Sequence, residues 1–248
     1  MKKICFTLFL FLQLTVALSA QFVSENDRQY IQERWDKADA LEKSGKLAEA
    51  EKELKDLASR YPDNAGIWTF LGEILKKRLK TDEAIAACKR ALSINPNWLQ
   101  ANRVLGLTYL QQTKDFESAV LFLKKEYELH VADFKRRNLP VGNDFYTSNL
   151  AEALFGAKKF EEAGVEFEKF VILAPDKDFY KMRLAVCYLE LKRLPDAENI
   201  IKPLVDSFPD SYRVWKIYAD VLKAQNRTPE ADDAYQKYRS LCPKCAVE

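Results

Sequence analysis

Few side chains in this chain of 248 residues could carry out catalysis. His130 is the only histidine, and no second metal ligand or base stands beside it in the sequence. A hydrolytic triad built on His130 would also need a nucleophile on a sharp strand-to-helix turn, and no such motif is present. We therefore interpret His130 as structural, expect no catalytic residue and predict that the chain is not an enzyme.

Four of the five cysteines fall into two groups. Cys88 and Cys187 lie in apolar helical stripes, where a free cysteine packs as a small hydrophobic side chain. Cys242 and Cys245 form the motif C-P-K-C near the end of the chain. A disulfide or two inert thiols is the first interpretation of this motif, a redox-active helper is the second, and a metal site is the last, because zinc would need two more ligands.

Composition excludes two further classes of function. Without Lys2 and Lys3 the chain has 37 basic and 37 acidic residues, which lacks the basic excess that nucleic-acid binding requires. The seven glycines form no G-x-G-x-x-G and no G-x-x-x-x-G-K motif, so loops that cradle phosphates are absent. We expect no metal, no cofactor and no nucleic acid.

The first 20 residues resemble a secretory signal peptide. Lys2 and Lys3 precede an apolar run over residues 6–17, and small residues close it at Ala17, Ser19 and Ala20. We expect cleavage just before Gln21, no membrane span in the processed chain, and export to the periplasm or the medium. Retention of this segment as an anchor is the alternative.

Residues 65–97 contain the pattern around which the chain is organised. Trp68, Leu71, Gly72 and Leu75 share one helical face, and Ala84, Cys88 and Ala91 share a face of a second helix that ends before Pro96. This stretch resembles a tetratricopeptide repeat, whose pattern is W-x2-L-G-x2-Y, then A-x3-F, then P. The resemblance implies two antiparallel helices that interlock through large and small residues.

The pattern recurs along the chain. Prolines end the second helices, and successive ones are 34 residues apart in three of four intervals, the fourth containing two repeats and 11 extra residues. An alanine precedes each proline by 12 residues. The prolines are Pro62, Pro96, Pro175, Pro209 and Pro243, and the alanines are Ala50, Ala84, Ala163, Ala197 and Ala231.

The sequence thus predicts an all-α fold, a right-handed superhelical solenoid of about six tetratricopeptide helix-turn-helix repeats. The 11 extra residues predict three changes. The turn at 111–115 is one residue too long, the next helix is lengthened to about Lys135, and a loop follows that helix. The predicted segments are a signal peptide at 1–20, a lead into the first helix at 21–30, repeats near 31–64, 65–98, 99–133, 144–177, 178–211 and 212–245, and an insertion at 134–143.

The family resemblance also implies a groove, lined by the first helix of each repeat, that holds a peptide or a partner segment. One subtype of the family clamps a carboxylate. Asn149 and Arg183 match that clamp, Arg103 replaces a lysine, and Phe179 replaces another, so the clamp is incomplete. The predicted groove residues are Phe70, Arg103, Phe145, Asn149, Phe179, Met182 and Arg183.

These observations favour a non-catalytic protein-interaction module of the cell envelope, with a role in assembling a secreted or surface structure. The third, fourth and fifth repeats are expected to bind a protein or peptide partner that carries an acidic or C-terminal group. The alternative is a thiol-active helper that uses Cys242 and Cys245. Association of the chain with itself is left open.

Overall fold

The computed structural model describes residues 24–138 and 146–247. These residues form twelve α-helices, one π-helix and one 3-10 helix, and no strand occurs among them. The predicted signal peptide at residues 1–20 and part of the predicted insertion lie outside the described residues. The helices, numbered here in chain order, are Glu25–Lys43 (α1), Leu47–Arg60 (α2), Ala65–Lys77 (α3), Thr81–Ile94 (α4), Leu99–Thr108 (α5), Phe116–Arg136 (α6), Tyr146–Gly156 (α7), Phe160–Leu173 (α8), Asp178–Glu190 (α9), Leu194–Ser207 (α10), Tyr212–Ala224 (α11) and Thr228–Leu241 (α12).

Each odd-numbered helix packs against the even-numbered helix that follows it, which confirms the helix-turn-helix repeat and the all-α class. The turn between the two helices of every pair contains one residue in the left-handed region. Only the first of these is glycine, although glycine adopts this conformation with the least strain. The six residues are Gly45, Leu79, Lys114, Lys158, Lys192 and Asn226.

The repeating prolines set the ends of the second helices. Helices α2, α4, α8, α10 and α12 each end two residues before such a proline. The proline ring disfavours helical geometry in the residue that precedes it, and proline has no N–H to continue the helix. Helix α6 lacks this stop and runs for 21 residues to Arg136, one residue beyond the expected end.

The sequence predicted that the extra residue of the third repeat lengthens the turn at 111–115, and this prediction is wrong. The extra residue is accommodated by a π-helix over Tyr109–Thr113 that continues directly from α5. A π-helix closes its hydrogen bonds one residue further along the chain than an α-helix does, so it takes up one additional residue without ending the helix. Lys114 then makes the same left-handed turn as in the other repeats.

Contacts divide the described residues into two compact units, which meet between residues 95 and 96 of the sequence. In the first unit, α1 to α4 enclose a core that includes Leu54, Leu57, Ile67 and Leu75. Trp68 packs only at the edge of this core, where it is half-buried and its indole N–H donates to the Pro62 carbonyl at 2.9 Å. In the second unit, Leu123, Leu154, Phe167, Leu184 and Ile201 are among the buried side chains.

None of the described helices combines the length and the apolar character that a transmembrane segment needs.

Candidate functional site

A cavity of about 450 Å³ opens between α9 and α11 in the second unit. These are the first helices of the fifth and sixth repeats, and they pack side by side. The volume lies within the range of roughly 300–1,000 Å³ that ligand pockets usually have. We call this cavity and its walls the α9–α11 groove. Its lining residues are Phe179, Met182, Arg183, Val186, Tyr212, Arg213, Lys216, Ile217 and Asp220.

The two helices line the groove with the same positions of the repeat. Every groove residue of α9 has a counterpart on α11 that lies 34 residues later, which is the repeat length found in the sequence. Two equivalent helix faces therefore face one space. The four pairs are Phe179 with Arg213, Met182 with Lys216, Arg183 with Ile217, and Val186 with Asp220.

Arg183 is held inside the second unit by a carboxylate of the preceding repeat. Its Nε donates to Glu152 Oε1 at 3.1 Å and its Nη2 donates to Glu152 Oε2 at 2.9 Å. The guanidinium also lies 4.4 Å from the ring centroid of Phe155 and 5.1 Å from that of Phe179. Burial raises the pKa of Glu152, although the charge of Arg183 opposes that rise. Arg183 thus shapes the groove with its planar side chain, and its charge is already paired with that of Glu152.

Lys216 and Asp220 form a second internal pair, on α11 itself. Lys216 Nζ lies 2.9 Å from Asp220 Oδ2, and the Tyr235 hydroxyl donates to Asp220 Oδ1 at 2.5 Å. This hydrogen bond and burial raise the pKa of Tyr235, burial being the larger cause. Lys216 therefore neutralises the carboxylate at this end of the groove, and Tyr235 donates a second hydrogen bond to it.

Arg213 is the groove cation that has no carboxylate partner within the described part of the chain. Its side chain is exposed, its Nε donates to the Tyr212 hydroxyl oxygen at 3.1 Å, and its guanidinium lies 5.6 Å from the Tyr212 ring centroid. These contacts orient the guanidinium without neutralising its charge. Most of its five N–H donors remain available to an arriving anion.

The structure brings together three of the predicted groove residues, Phe179, Met182 and Arg183. Arg103 and Asn149 are half-buried on α5 and α7, and neither lines this cavity. Phe145 lies outside the described residues.

Phe70 must be corrected, because it is a core residue and not part of a groove wall. It is 7% exposed and its ring centroid lies 4.8 Å from that of Trp35 on α1. A large aromatic side chain that finds such a partner on a neighbouring helix gains more from burial than from exposure.

Five other groove residues were not predicted from the sequence: Val186, Tyr212, Arg213, Ile217 and Asp220. The signal was available, because adding one repeat length to Phe179 and Arg183 gives two of these positions on α11, Arg213 and Ile217.

Glu126 is the other unusual polar side chain of the second unit. It is 2% exposed, and its Oε1 has no hydrogen-bond partner within the described residues. Burial raises its pKa to about 7, and the positive charge of Arg103 only partly opposes this. Glu126 occupies the repeat position at which Leu57, Phe170 and Leu204 are buried in other repeats.

His130 lies one turn further along α6. It is buried and its ring centroid is 4.1 Å from that of Phe134. Desolvation by burial lowers its pKa, against the opposing charge of Asp133. The imidazole is therefore packed as an aromatic ring at the end of the helical stripe.

The four described cysteines are of two kinds. Cys242 and Cys245 are joined in a disulfide with a Cα–Cα distance of 5.3 Å. Cys88 and Cys187 are buried free thiols, and burial raises the pKa of each to about 12. Across the described ranges, His, Cys, Asp and Glu side chains form no group of three that could hold a metal ion.

Sequence profiles described as tetratricopeptide repeat match residues 36–97 and 154–221. The chain belongs to the tetratricopeptide repeat family. Repeats of this family form a protein–protein interaction fold, and the α9–α11 groove lies on two of them.

Similar solved structures show the same fold. One of them is YrrB, a tetratricopeptide repeat protein with an unusual peptide-binding site. It is 13% identical to this chain, and the superposition covers 77% of this chain and 92% of YrrB with a TM-score of 0.61. A tetratricopeptide repeat protein of Parabacteroides merdae is 17% identical, with 86% and 80% covered at a TM-score of 0.60.

Among curated proteins, the chain resembles peroxisomal targeting signal receptors of two yeasts. The receptor of Candida albicans is 22% identical over 82% of this chain, and that of Komagataella phaffii is 24% identical over 77%. The matched region is 34% and 33% of the length of those receptors, so the chain spans about a third of each.

Proposed function

We propose that the second unit binds an extended segment of a partner protein in the α9–α11 groove, with an apolar side chain in the cavity and a carboxylate on Arg213. One observation carries this proposal: two successive first helices line one cavity, and the ion pairs around it leave Arg213 as its unneutralised cation among the described residues. The protein thus acts as an interaction module.

The apolar part of the groove supplies the anchor. Phe179 is 45% exposed, and Met182, Val186 and Ile217 are half-buried around the same cavity. In protein complexes a few buried anchor residues supply most of the binding energy, and aromatic rings and flexible thioethers suit this role. A leucine or an aromatic side chain of the partner would bury these surfaces together.

The charged part of the groove supplies selectivity for an acidic segment. An unpaired Asp220 would repel an incoming carboxylate. Asp220 is, however, already paired with Lys216 and accepts a hydrogen bond from Tyr235. Arg213 can offer two parallel N–H donors to one carboxylate, the arrangement that makes arginine selective for this group. The ligand site is therefore at the fifth and sixth repeats, with Arg213 in the role that the sequence analysis gave to Arg183.

Two further parts of the proposal concern chemistry and location. The protein is not an enzyme and uses no cofactor, since the charged groove residues are two arginines, a lysine and an aspartate, and all of these except Arg213 are held in ion pairs. It acts in the cell envelope after export, an assignment supported by the apolar stretch at residues 6–17 and by a disulfide, which persists in oxidising compartments. The unusual peptide-binding site of the tetratricopeptide repeat protein YrrB agrees with peptide recognition by such repeats.

The test uses short fluorescein-labelled peptides that each contain one glutamate and one leucine at variable separation, with a matched set in which glutamine replaces glutamate. Fluorescence anisotropy should show binding of the acidic set, and Arg213→Gln should weaken it about tenfold or more, since a hydrogen bond between charged groups contributes about 1.5–3 kcal/mol. Arg239→Gln, the same change at an exposed position on α12, is the control. Equal affinity of both variants, or equal binding of both peptide sets, would refute the proposal.

A further inference from the structure

The end of the sixth repeat is tied back onto α12 by the Cys242–Cys245 disulfide. The bridge closes a short loop around the start of the 3-10 helix Pro243–Val247. Within this loop the Cys245 N–H donates to the Cys242 carbonyl at 2.9 Å. The Tyr238 hydroxyl on α12 donates to the Cys245 carbonyl oxygen at 3.2 Å. The disulfide therefore fixes the acceptor that orients the Tyr238 side chain.

Tyr238 connects this end of the chain with the α9–α11 groove. Its ring centroid lies 6.5 Å from that of Tyr212, which lines the groove. The Tyr212 hydroxyl in turn accepts the hydrogen bond from Arg213 Nε. A continuous series of contacts thus runs from the disulfide through two tyrosines to the groove cation.

We infer that the Cys242–Cys245 bridge is a redox switch for the α9–α11 groove, which binds its partner segment when the bridge is formed and binds it more weakly when the bridge is reduced. This inference rests on the proposed function, because it concerns the regulation of the same groove. The coupling requires an element with two arrangements that both sites influence. That element is the 3-10 helix with Tyr238, anchored in one state and released in the other.

Reduction takes place by thiol–disulfide exchange with a dithiol reductant. A thiolate of the reductant attacks one sulfur of the bridge, the Cys242–Cys245 bond breaks, and a mixed disulfide forms. The second thiol of the reductant then attacks the reductant's own sulfur in the mixed disulfide and releases the protein sulfur as a thiol. The reductant leaves as an internal disulfide. Two electrons and two protons pass to the protein, which then carries two cysteine thiols.

The environment of the bridge suits such an exchange, and that of the other described cysteines does not. Cys242 and Cys245 are both partly exposed. Cys88 and Cys187 are buried, and burial raises the pKa of their thiols to about 12, so they supply no thiolate that could attack the bridge. Among the described residues, a dithiol therefore has one disulfide to reduce and no competing partner.

Loss of the bridge should reach the groove by a local loosening. Chain ends that are not tied down fray readily, so Cys245 would leave the end of α12 and Tyr238 would lose its acceptor. The Tyr238 ring would then be free to move away from Tyr212, and the Arg213 guanidinium would lose its fixed orientation. An ordered guanidinium costs less entropy to immobilise on binding, so its loosening lowers affinity.

Met182 provides a direct reporter of the groove, because the chain has only two methionines and the other is Met1. In the full chain labelled with ¹³C-methyl methionine, the Met182 methyl signal should shift when dithiothreitol reduces the bridge. A Cys242→Ser, Cys245→Ser variant should show the reduced position at once and should not respond to dithiothreitol. Tyr238→Phe, which keeps the ring but cannot donate to Cys245, should lose most of the response. A static Met182 signal, or an undiminished response in Tyr238→Phe, would overturn the inference.

The acidic fluorescein-labelled peptides supply the second measurement. Their affinity should fall at least about fivefold on reduction of the wild-type chain, the lower end of ordinary coupling between two sites. Equal affinity in the two redox states would overturn the inference even if the Met182 signal moves. Absence of peptide binding in both states, together with a moving Met182 signal, would instead overturn the proposed function, so the two failures are distinguishable.

Discussion

Glu152 and Arg183 form a two-point ion pair between successive repeats, with N–O distances of 3.1 and 2.9 Å. Both side chains are partly buried, with 26% and 34% of their surfaces exposed. The pair joins α7 to α9 and places the guanidinium against two aromatic rings. It therefore connects the architecture of the second unit with the wall of the groove.

Glu152→Ala should lower the free energy of unfolding by about 1–2 kcal/mol, because it leaves two half-buried Arg183 donors without their acceptor. Denaturant titration followed by circular dichroism would measure this change. The control is Glu117→Ala, which breaks the exposed pair with Lys159. That variant should change stability by less than about 0.5 kcal/mol. Equal effects of the two changes would show that the Glu152–Arg183 pair has no special structural role.

Glu126→Leu should stabilise the second unit by about 1–3 kcal/mol, because it replaces a buried carboxyl group without a partner at Oε1 by the residue found at this position in two other repeats. Glu128→Leu on the same helix is the control, since its side chain is exposed. Loss of stability in Glu126→Leu with no change in Glu128→Leu would contradict this account of Glu126.

The pH dependence of wild-type stability should carry the same signature. Burial raises the pKa of Glu126 from 4.5 to about 7 in the folded chain, so between these values the folded state holds a proton that the unfolded state has released. This contribution to stability is complete below pH 4.5 and is lost as the pH rises through about 7. The unfolding free energy should thus decline over this interval in wild type, and the decline should be smaller in Glu126→Leu. Parallel curves would argue against titration of Glu126.

Gly106→Ala should destabilise the third repeat by about 1–3 kcal/mol, the usual cost of overpacking. A Cβ at this position would lie 2.6 Å from Leu123 Cγ and 3.2 Å from the Leu123 backbone nitrogen, and the backbone cannot yield easily. Gly164→Ala is the matched control, because its Cβ would meet Cys187 Cβ at 3.7 Å, an ordinary contact. That variant should be neutral or should gain up to about 1 kcal/mol from the better helix propensity of alanine. Thermal unfolding of both would decide, and a loss in Gly164→Ala alone would contradict the packing described.

Much of the fold could be predicted from the sequence because the repeat is set by local rules. Prolines such as Pro96 and Pro209 end helices wherever they occur, and small residues such as Gly72 mark close helix contacts. The π-helix at Tyr109–Thr113 could not be predicted, since spacing alone shows one extra residue but not whether a turn or a helix contains it.

The groove was harder to predict, because the position of a residue in a repeat does not determine its contacts. Phe70 and Arg183 occupy equivalent positions, yet Phe70 is buried against Trp35 and Arg183 is paired with Glu152. Each outcome depends on a neighbour from another helix. Arg213 was overlooked because its importance depends on an absent contact. Arg183 and Lys216 have carboxylate partners in the described part of the chain, and Arg213 does not.

The Met182 methyl signal tests the central claim most directly, because Met182 lies in the α9–α11 groove and the chain has one other methionine. Addition of the acidic peptides should shift this signal at concentrations that match the anisotropy curve. Arg213→Gln should move the shift to higher peptide concentration by about tenfold, and Arg239→Gln should leave it unchanged. Tight peptide binding with an unmoved Met182 signal would place the site elsewhere and contradict the account.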